Sequence, residues 1–460
     1  MPDEILQPVS IPLPKRIDYE SVPVNGSLEL YRGELKAQMG ENETVNQGTV
    51  TLNLAGHPEV CFEMKHDLPF LSSGTGGSVS LTDYEGEPFS DFFMRQINHS
   101  TIPAENHFEG LFQEGGLLYH TYKSSGKHET LGKVEFALIN FPFFLNERAG
   151  EIGPASPEWN LYRVEFSFGK WKVVIEQFAD AENKLREAKA IHGHALTHRC
   201  ELRLADDKLF SSEEARKTLE ALYWFLSLTA GRRIAFCLPT GLQYSDTVYW
   251  QEWNINGASK VHNYKNWFLP QMPSQSLTTA PLFHEVWQVH EKRDWLKATI
   301  GFYCVCNQGH AGIEFALTEV QTLLEMLCSV ALMEENSLMS EKGFKDLEAA
   351  DKIRALLFWL NSSTAIPVSL TELKTISKDL DAPEAITRIR NLIIHPTRKN
   401  RAERDKVSPL AIHDAWQLSL MYCELALLKL IGYSGAYNNR LGNPPMCIWS
   451  VTPWGTPTQP

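Results

Sequence analysis

Residues 388–399 read RIRNLIIHPTRK, with arginines, an asparagine and a histidine set among apolar residues and a proline after the histidine. An arginine with four to six residues between it and a histidine is the minimal signature of metal-independent RNA cleavage. A histidine that holds and returns a proton near neutral pH is what RNA transesterification requires. The chain has 19 arginines and 15 histidines, so chance alone supplies about two such pairs. Three occur: Arg186–His192, Arg388–His395 and Arg390–His395. Context has to choose among them.

Three features favour Arg390–His395. Asn391 lies four residues before His395, so on a helix the two stack and the amide can orient the imidazole. Ile386, Ile389 and Ile393 mark a buried stripe, and at 100° per residue Arg390 falls inside it, about 40° from Ile386. An arginine there needs a partner, because an unpaired buried charge is costly; Glu325, in the middle of a neighbouring helix, is one candidate. Pro396 disfavours α conformation at His395, so the helix ends there, with the histidine at the negative end of the dipole where a cation is favoured. One feature opposes the pair: on an ideal helix residues 390 and 395 point about 140° apart. A twofold pairing of two chains pools both groups in one cleft, so the chemistry implies a homodimer. Segment 388–406 adds Arg388, Arg398, Lys399, Arg401, Arg404 and Lys406 against only Glu403 and Asp405, a local basic loop suited to phosphate.

The elements that must hold this segment are helical. From about residue 280 the apolar period is 3.6. Helices are predicted over 281–303, 311–335, 344–360, 369–380 and 383–395, and a last one opens at Ser408–Pro409 and stops at Gly432. The first half alternates as β-strands over 48–56, 77–84, 133–141, 161–178 and 195–206. That pattern predicts a sandwich or open barrel for roughly 20–205, followed by a helix at 212–229 capped by Ser211 or Ser212 and a strand at 230–239. The fold class is therefore α+β: an N-terminal β-rich domain (1–280, including helix 212–229), a C-terminal all-α bundle (281–432) and an irregular tail (433–460).

Bulk properties bound the rest. The net charge of −13 excludes a generally basic nucleic-acid coat. Eight scattered cysteines form no CxxC pair. The N-terminus lacks a signal-peptide pattern and no run of 18 apolar residues occurs, which points to the cytoplasm and no membrane partner. His192, His194, His198 and Cys200 fall on one face of a strand, too spread along it to share one metal, so a polar strand face is the better reading. Cys304 and Cys306 read as core thiols. SSGTGGS (72–78) lacks the lysine of a phosphate loop. Tyr433, Tyr437, Trp449, Trp454 and Arg440 fit packing of the tail better than base stacking.

The bundle with RNLIIH near the end of its penultimate helix resembles a HEPN domain carrying the R-[polar]-x3-H ribonuclease motif. THRCELRLADDKLFSSEEARKTLEALYWFLSLTAGRR, IGFYCVCNQGHAGIEFALTEVQTLLEML and GYSGAYNNR resemble the ApeA-type two-domain anti-phage (abortive infection) proteins. The resemblance implies a metal- and cofactor-free endoribonuclease acting at a dimer interface, with an RNA substrate and a phage-derived activator sensed by the β domain. Arg390 would bind the scissile phosphate, His395 would serve as general base or acid, and Asn391 would support them. The products would be a 2′,3′-cyclic phosphate and a 5′-hydroxyl. The competing expectations are a non-catalytic HEPN module that dimerises or holds RNA, and a glycan- or protein-binding β domain on a helical oligomerisation unit.

Overall fold

The computed structural model describes residues 17–39, 42–65, 78–82, 88–102, 105–112, 130–142, 163–243, 248–253, 255, 257–261, 265–269, 276–309, 312–442 and 449–455. The glycine-rich 72–77, His310 and Cys447 lie outside these. N-terminal β-sheets precede a C-terminal helical region, in an α+β layout. The chain divides into two units, one of residues 1–143, 148–220 and 234–261, the other of 144–147, 221–233 and 262–460.

The first unit contains two sheets rather than one sandwich or open barrel. Strands β1 (Ser27–Met39), β2 (Asn42–Asn53), β3 (Glu59–Lys65), β4 (Ser78–Thr82), β5 (Pro88–Ile102) and β6 (Glu105–Phe112) are antiparallel neighbours in the order β1-β2-β3-β6-β5-β4. β4 then pairs back onto β1, with Leu35 opposite Leu81, and the barrel closes. Closure removes the unpaired strand edges that an open sheet exposes. Val50, Leu52 and Leu54 alternate inward along β2 and its exit, as a period of two demands.

The second sheet is built from β7 (Lys133–Ile139), β8 (Arg163–Phe168), β9 (Trp171–Gln177), β10 (Leu196–Leu204), β11 (Ala235–Leu242) and β12 (Val248–Gln251), in the order β12-β11-β7-β10-β9-β8. Ala137, Ile139, Leu196 and Trp253 share one buried cluster with Val50, Leu52, Leu54 and Val60. Helix α1 (Ala181–Ala190) leads into β10. His192 and His194 precede β10, so only His198 and Cys200 of the supposed histidine face share the strand, and both are buried. Burial pushes His198 down to about 3.

Helix α2 (Ser212–Ala230) starts as its sequence predicts. The Ser211 Oγ accepts the Glu214 N–H at 3.2 Å, and the Glu214 carboxylate accepts the Ser211 N–H at 3.2 Å, a reciprocal capping box.

The helical unit holds α3 (Thr279–Gln288), α4 (His290–Gln308), α5 (Ile313–Ser329) with a π-helical turn (Val330–Glu334), α6 (Glu341–Lys345), α7 (Ala349–Trp359), α8 (Thr371–Ile376), α9 (Ala382–Ile394), α10 (Arg398–Arg404) and α11 (Pro409–Leu430). The helix expected over 281–303 is two, because Val289 takes extended dihedrals (φ −82°, ψ 118°) between α3 and α4. The helix expected over 344–360 is likewise split between α6 and α7. Ser408 caps α11 by accepting the Ala411 N–H, and Gly432 follows it at φ +79°. Ile313–Glu334 is long and apolar enough to cross a membrane by length and composition, yet most of it is buried; α5 packs along α11 as a core helix.

The tail belongs to this unit. Arg440 is buried against Glu424; its Nη1 donates to Gln417 and its Nη2 to Asn307 and the Lys265 carbonyl, each at 3.0 Å. Tyr433 donates to the Ala436 carbonyl and the Trp454 indole donates to Tyr433. These three side chains and the buried Tyr437 pack as expected.

Candidate active site

Helix α9 begins at Asp381, whose side chain accepts the Glu384 N–H, with Pro383 in its first turn. Arg354 on α7 grips Asp381 through two nitrogens at 2.6 and 2.9 Å. The buried face is Ala385, Ile386, Ile389 and Leu392. Its centre lies nearer Ile389 than the sequence stripe placed it, and Ile393 is only half-buried. Arg390 sits on one edge of that face and Arg388 on the other, by the 100° step per residue.

The helix stops at Ile394, and His395 leaves α conformation at φ −114°, ψ 77°, immediately before Pro396. Sequence and structure agree here, for the steric reason given above. The His395 carbonyl accepts the Thr397 N–H at 2.7 Å and the Asn400 Nδ2 at 2.8 Å. The imidazole is exposed and makes no hydrogen bond among the described residues. Its backbone is therefore fixed while its ring stays open to a ligand.

Arg390 is half-buried. Its Nη1 donates to the Asn391 Oδ1 at 3.2 Å. Its Nε is buried with no acceptor, and no carboxylate lies within ion-pair distance among the described residues. Glu325 is not its partner: that carboxylate is about half exposed and lies 3.8 Å from Lys352. Asn391 thus supports Arg390 rather than the imidazole; its carbonyl accepts the His395 backbone N–H at 3.1 Å. Arg390 and His395 remain on different flanks of α9, so one chain does not bring them together.

The basic segment after Pro396 is a helix, not a loop. Thr397 caps α10 by accepting the Asn400 N–H, and no residue of α10 is buried. Arg398 and Lys399 are exposed and make no ion pair among the described residues. Arg401 donates to the Pro396 carbonyl at 2.7 Å. Arg404 pairs with Glu314, and Arg388 lies 3.4 Å from Glu403. Three of the five expected RNA-binding cations, Arg398, Lys399 and Arg401, therefore pair with no carboxylate among the described residues, and two are engaged. Asn400 is the residue that sequence reading missed; its role depends on a helical turn that no apolar pattern announces.

Cys304 and Cys306 are buried on α4 and burial pushes both thiols up to about 12, which makes them poor nucleophiles at neutral pH. Among the described residues no group of three or more His, Cys, Asp or Glu is disposed to hold a metal.

The architecture is that of an α+β chain with a β-rich unit and a helical unit whose penultimate long helix ends in an exposed histidine. Residues 290–451, which include this whole site, match the YopA C-terminal domain, and residues 126–264 match the YopA central domain. Over 446 residues the chain is 26% identical to an uncharacterized SPbeta prophage-derived protein, YopA, of Bacillus subtilis (strain 168), covering 94% of this chain and 96% of that relative. No solved structure matches the chain. None of these descriptions assigns an activity.

Proposed function

We propose that the protein is a cytoplasmic, metal-independent endoribonuclease of HEPN type that acts in anti-phage defence, with a site completed by a second copy of the chain. The observation that carries the reading is Arg390: a half-buried guanidinium with an orphaned Nε and no carboxylate partner among the described residues. A cation in that setting is costly unless an anion arrives, and a scissile phosphate is such an anion. In a twofold pair, Arg390 of each chain holds the phosphate and stabilises the charge that develops on the pentacoordinate phosphorus. His395 takes the proton from the ribose 2′-OH as its oxygen attacks phosphorus. The bond to the 5′-oxygen breaks, and that oxygen receives a proton from imidazolium. The products are a 2′,3′-cyclic phosphate and a 5′-hydroxyl. Arg398, Lys399 and Arg401 offer an exposed cationic track for the strand. The β-rich unit serves as the sensor for a phage-derived activator, and the prophage origin of the relative is consistent with a phage context.

Expression of the wild-type chain should be toxic to cells with accumulating RNA fragments, and both effects should vanish in His395→Ala and Arg390→Ala. If His395→Ala is as toxic as wild type and RNA decay is unchanged, the nuclease reading fails. Purified protein should keep cutting in excess EDTA; cleavage abolished by the chelator contradicts the mechanism. The separation of Arg390 from His395 on α9 favours one second reading, a module that binds RNA without cutting it. That reading predicts RNA affinity in a wild-type protein that leaves every bound strand intact.

A further inference from the structure

On the flank of α9 away from Arg390, a groove of about 380 Å³ opens beside α8 and the turn between α10 and α11. Ala385, Ile389, Leu392 and Val407 back it as nearly buried side chains, and Ile376 supplies a half-buried apolar wall. Arg388 and Lys406, both exposed, stand at its mouth with Glu403. Arg388 lies 3.4 Å from Glu403, and with Lys406 unpaired among the described residues the mouth carries one positive charge in excess. Pockets for small organic ligands start at about 300 Å³, which this one exceeds. His395 follows Arg388 by seven residues, which places it about 20° around and roughly 10 Å further along α9. The groove therefore opens on the histidine's side of the helix.

We propose that this groove seats one base of a bound RNA strand beside the phosphate presented to His395. The flat ring lies against the half-buried Ile376 wall. Ser377 and Glu403, which also line the groove, face the mixed donor and acceptor edge of a base, for which an acyl chain has no use. Arg388 and Lys406 meet a flanking phosphate, and the Arg388–Glu403 contact gives way to a charge-assisted bond. The assignment rests on the nuclease reading for what the strand undergoes, but the binding can be measured without it.

The test is calorimetric titration of the full chain carrying His395→Ala with a hexanucleotide RNA, an abasic oligomer of the same length and 5′-nucleoside monophosphates. The hexanucleotide should bind more tightly than the abasic strand and the monophosphates. Arg388→Ala combined with Lys406→Ala should weaken it about tenfold, in line with loss of charged contacts to phosphate. Ile376→Trp, at the half-buried wall of the groove, should remove the advantage of RNA over the abasic strand. The rim variant alters only exposed residues, so it decides the matter even if the tryptophan variant does not fold. Equal affinity for RNA and abasic strand, tighter binding of a free monophosphate, or affinity unmoved by the rim variant overturns the proposal. No cleavage enters the titration. A chain that binds this way but never cuts RNA leaves the groove standing and removes the nuclease reading alone.

Discussion

Every nitrogen of the Arg440 guanidinium has a partner. It faces Glu424 through two nitrogens, and Gln417, Asn307 and the Lys265 carbonyl take the remaining bonds. Tyr303 donates to the same carboxylate at 2.5 Å, and burial, then the Glu424 charge, pushes that phenol well above its ordinary range. Arg390 has one bond, to its neighbour Asn391, and a buried Nε without any. The two arginines should therefore answer substitution in opposite ways. Arg440→Ala strands Glu424 as a buried charge and should cost about 3–5 kcal/mol in urea unfolding. Arg390→Ala should stay within about 1 kcal/mol of wild type while abolishing RNA cleavage. Equal destabilisation by both substitutions would mean that Arg390 is a structural residue and remove its phosphate role.

At the level of the element, helix ends marked by a cap or a proline are legible, whereas the internal breaks at Val289 and between α6 and α7, and the unpatterned helix α10, are not. Ser211 with Glu214, Ser408 with Pro409 and Pro396 after His395 all act as their chemistry dictates, because caps and proline sterics are local. Helix α10, RKNRAER, buries nothing, so it left no apolar period to read and passed for a loop. The clamp that Asn400 places on the His395 carbonyl was hidden with it. The same logic separates two cap substitutions. Ser408→Ala removes the N-cap of the core helix α11 and should lower global stability by about 1 kcal/mol. Asn400→Ala should leave the urea midpoint nearly unchanged, since α10 contributes no core. Amide exchange across 397–406 should accelerate, and cleavage should fall. Unaltered exchange in that segment would show that Asn400 does not hold the turn after His395.

For the whole molecule, the order of β-rich and helical parts follows directly from the change of hydrophobic period, but closure of the barrel does not. Alternation does not distinguish β1, β3, β5 and β6 from loops, and joining β4 to β1 is a long-range pairing that no local pattern encodes. What the assembled first unit adds is a histidine locked in its core. His198 is buried on β10, between β7 and β9, with its Nδ1 2.8 Å from the Thr197 hydroxyl and its ring edge against Phe141. Burial lowers its pKa from 6.5 to about 3. His194 is lowered too, chiefly by burial. A histidine depressed in the folded state binds its proton in the unfolded chain first, so acid favours unfolding. The stabilisation is complete above the unfolded value of about 6.5 and is lost as pH falls toward 3. One such proton lowers stability by about 1.4 kcal/mol per pH unit, or about 2 kcal/mol between pH 6.5 and 5 for His198 alone. Urea midpoints measured across that interval should fall in wild type and fall by about one proton less steeply in His198→Leu. Parallel pH profiles for the two proteins would show that His198 is not the group through which acid loosens the β-rich unit.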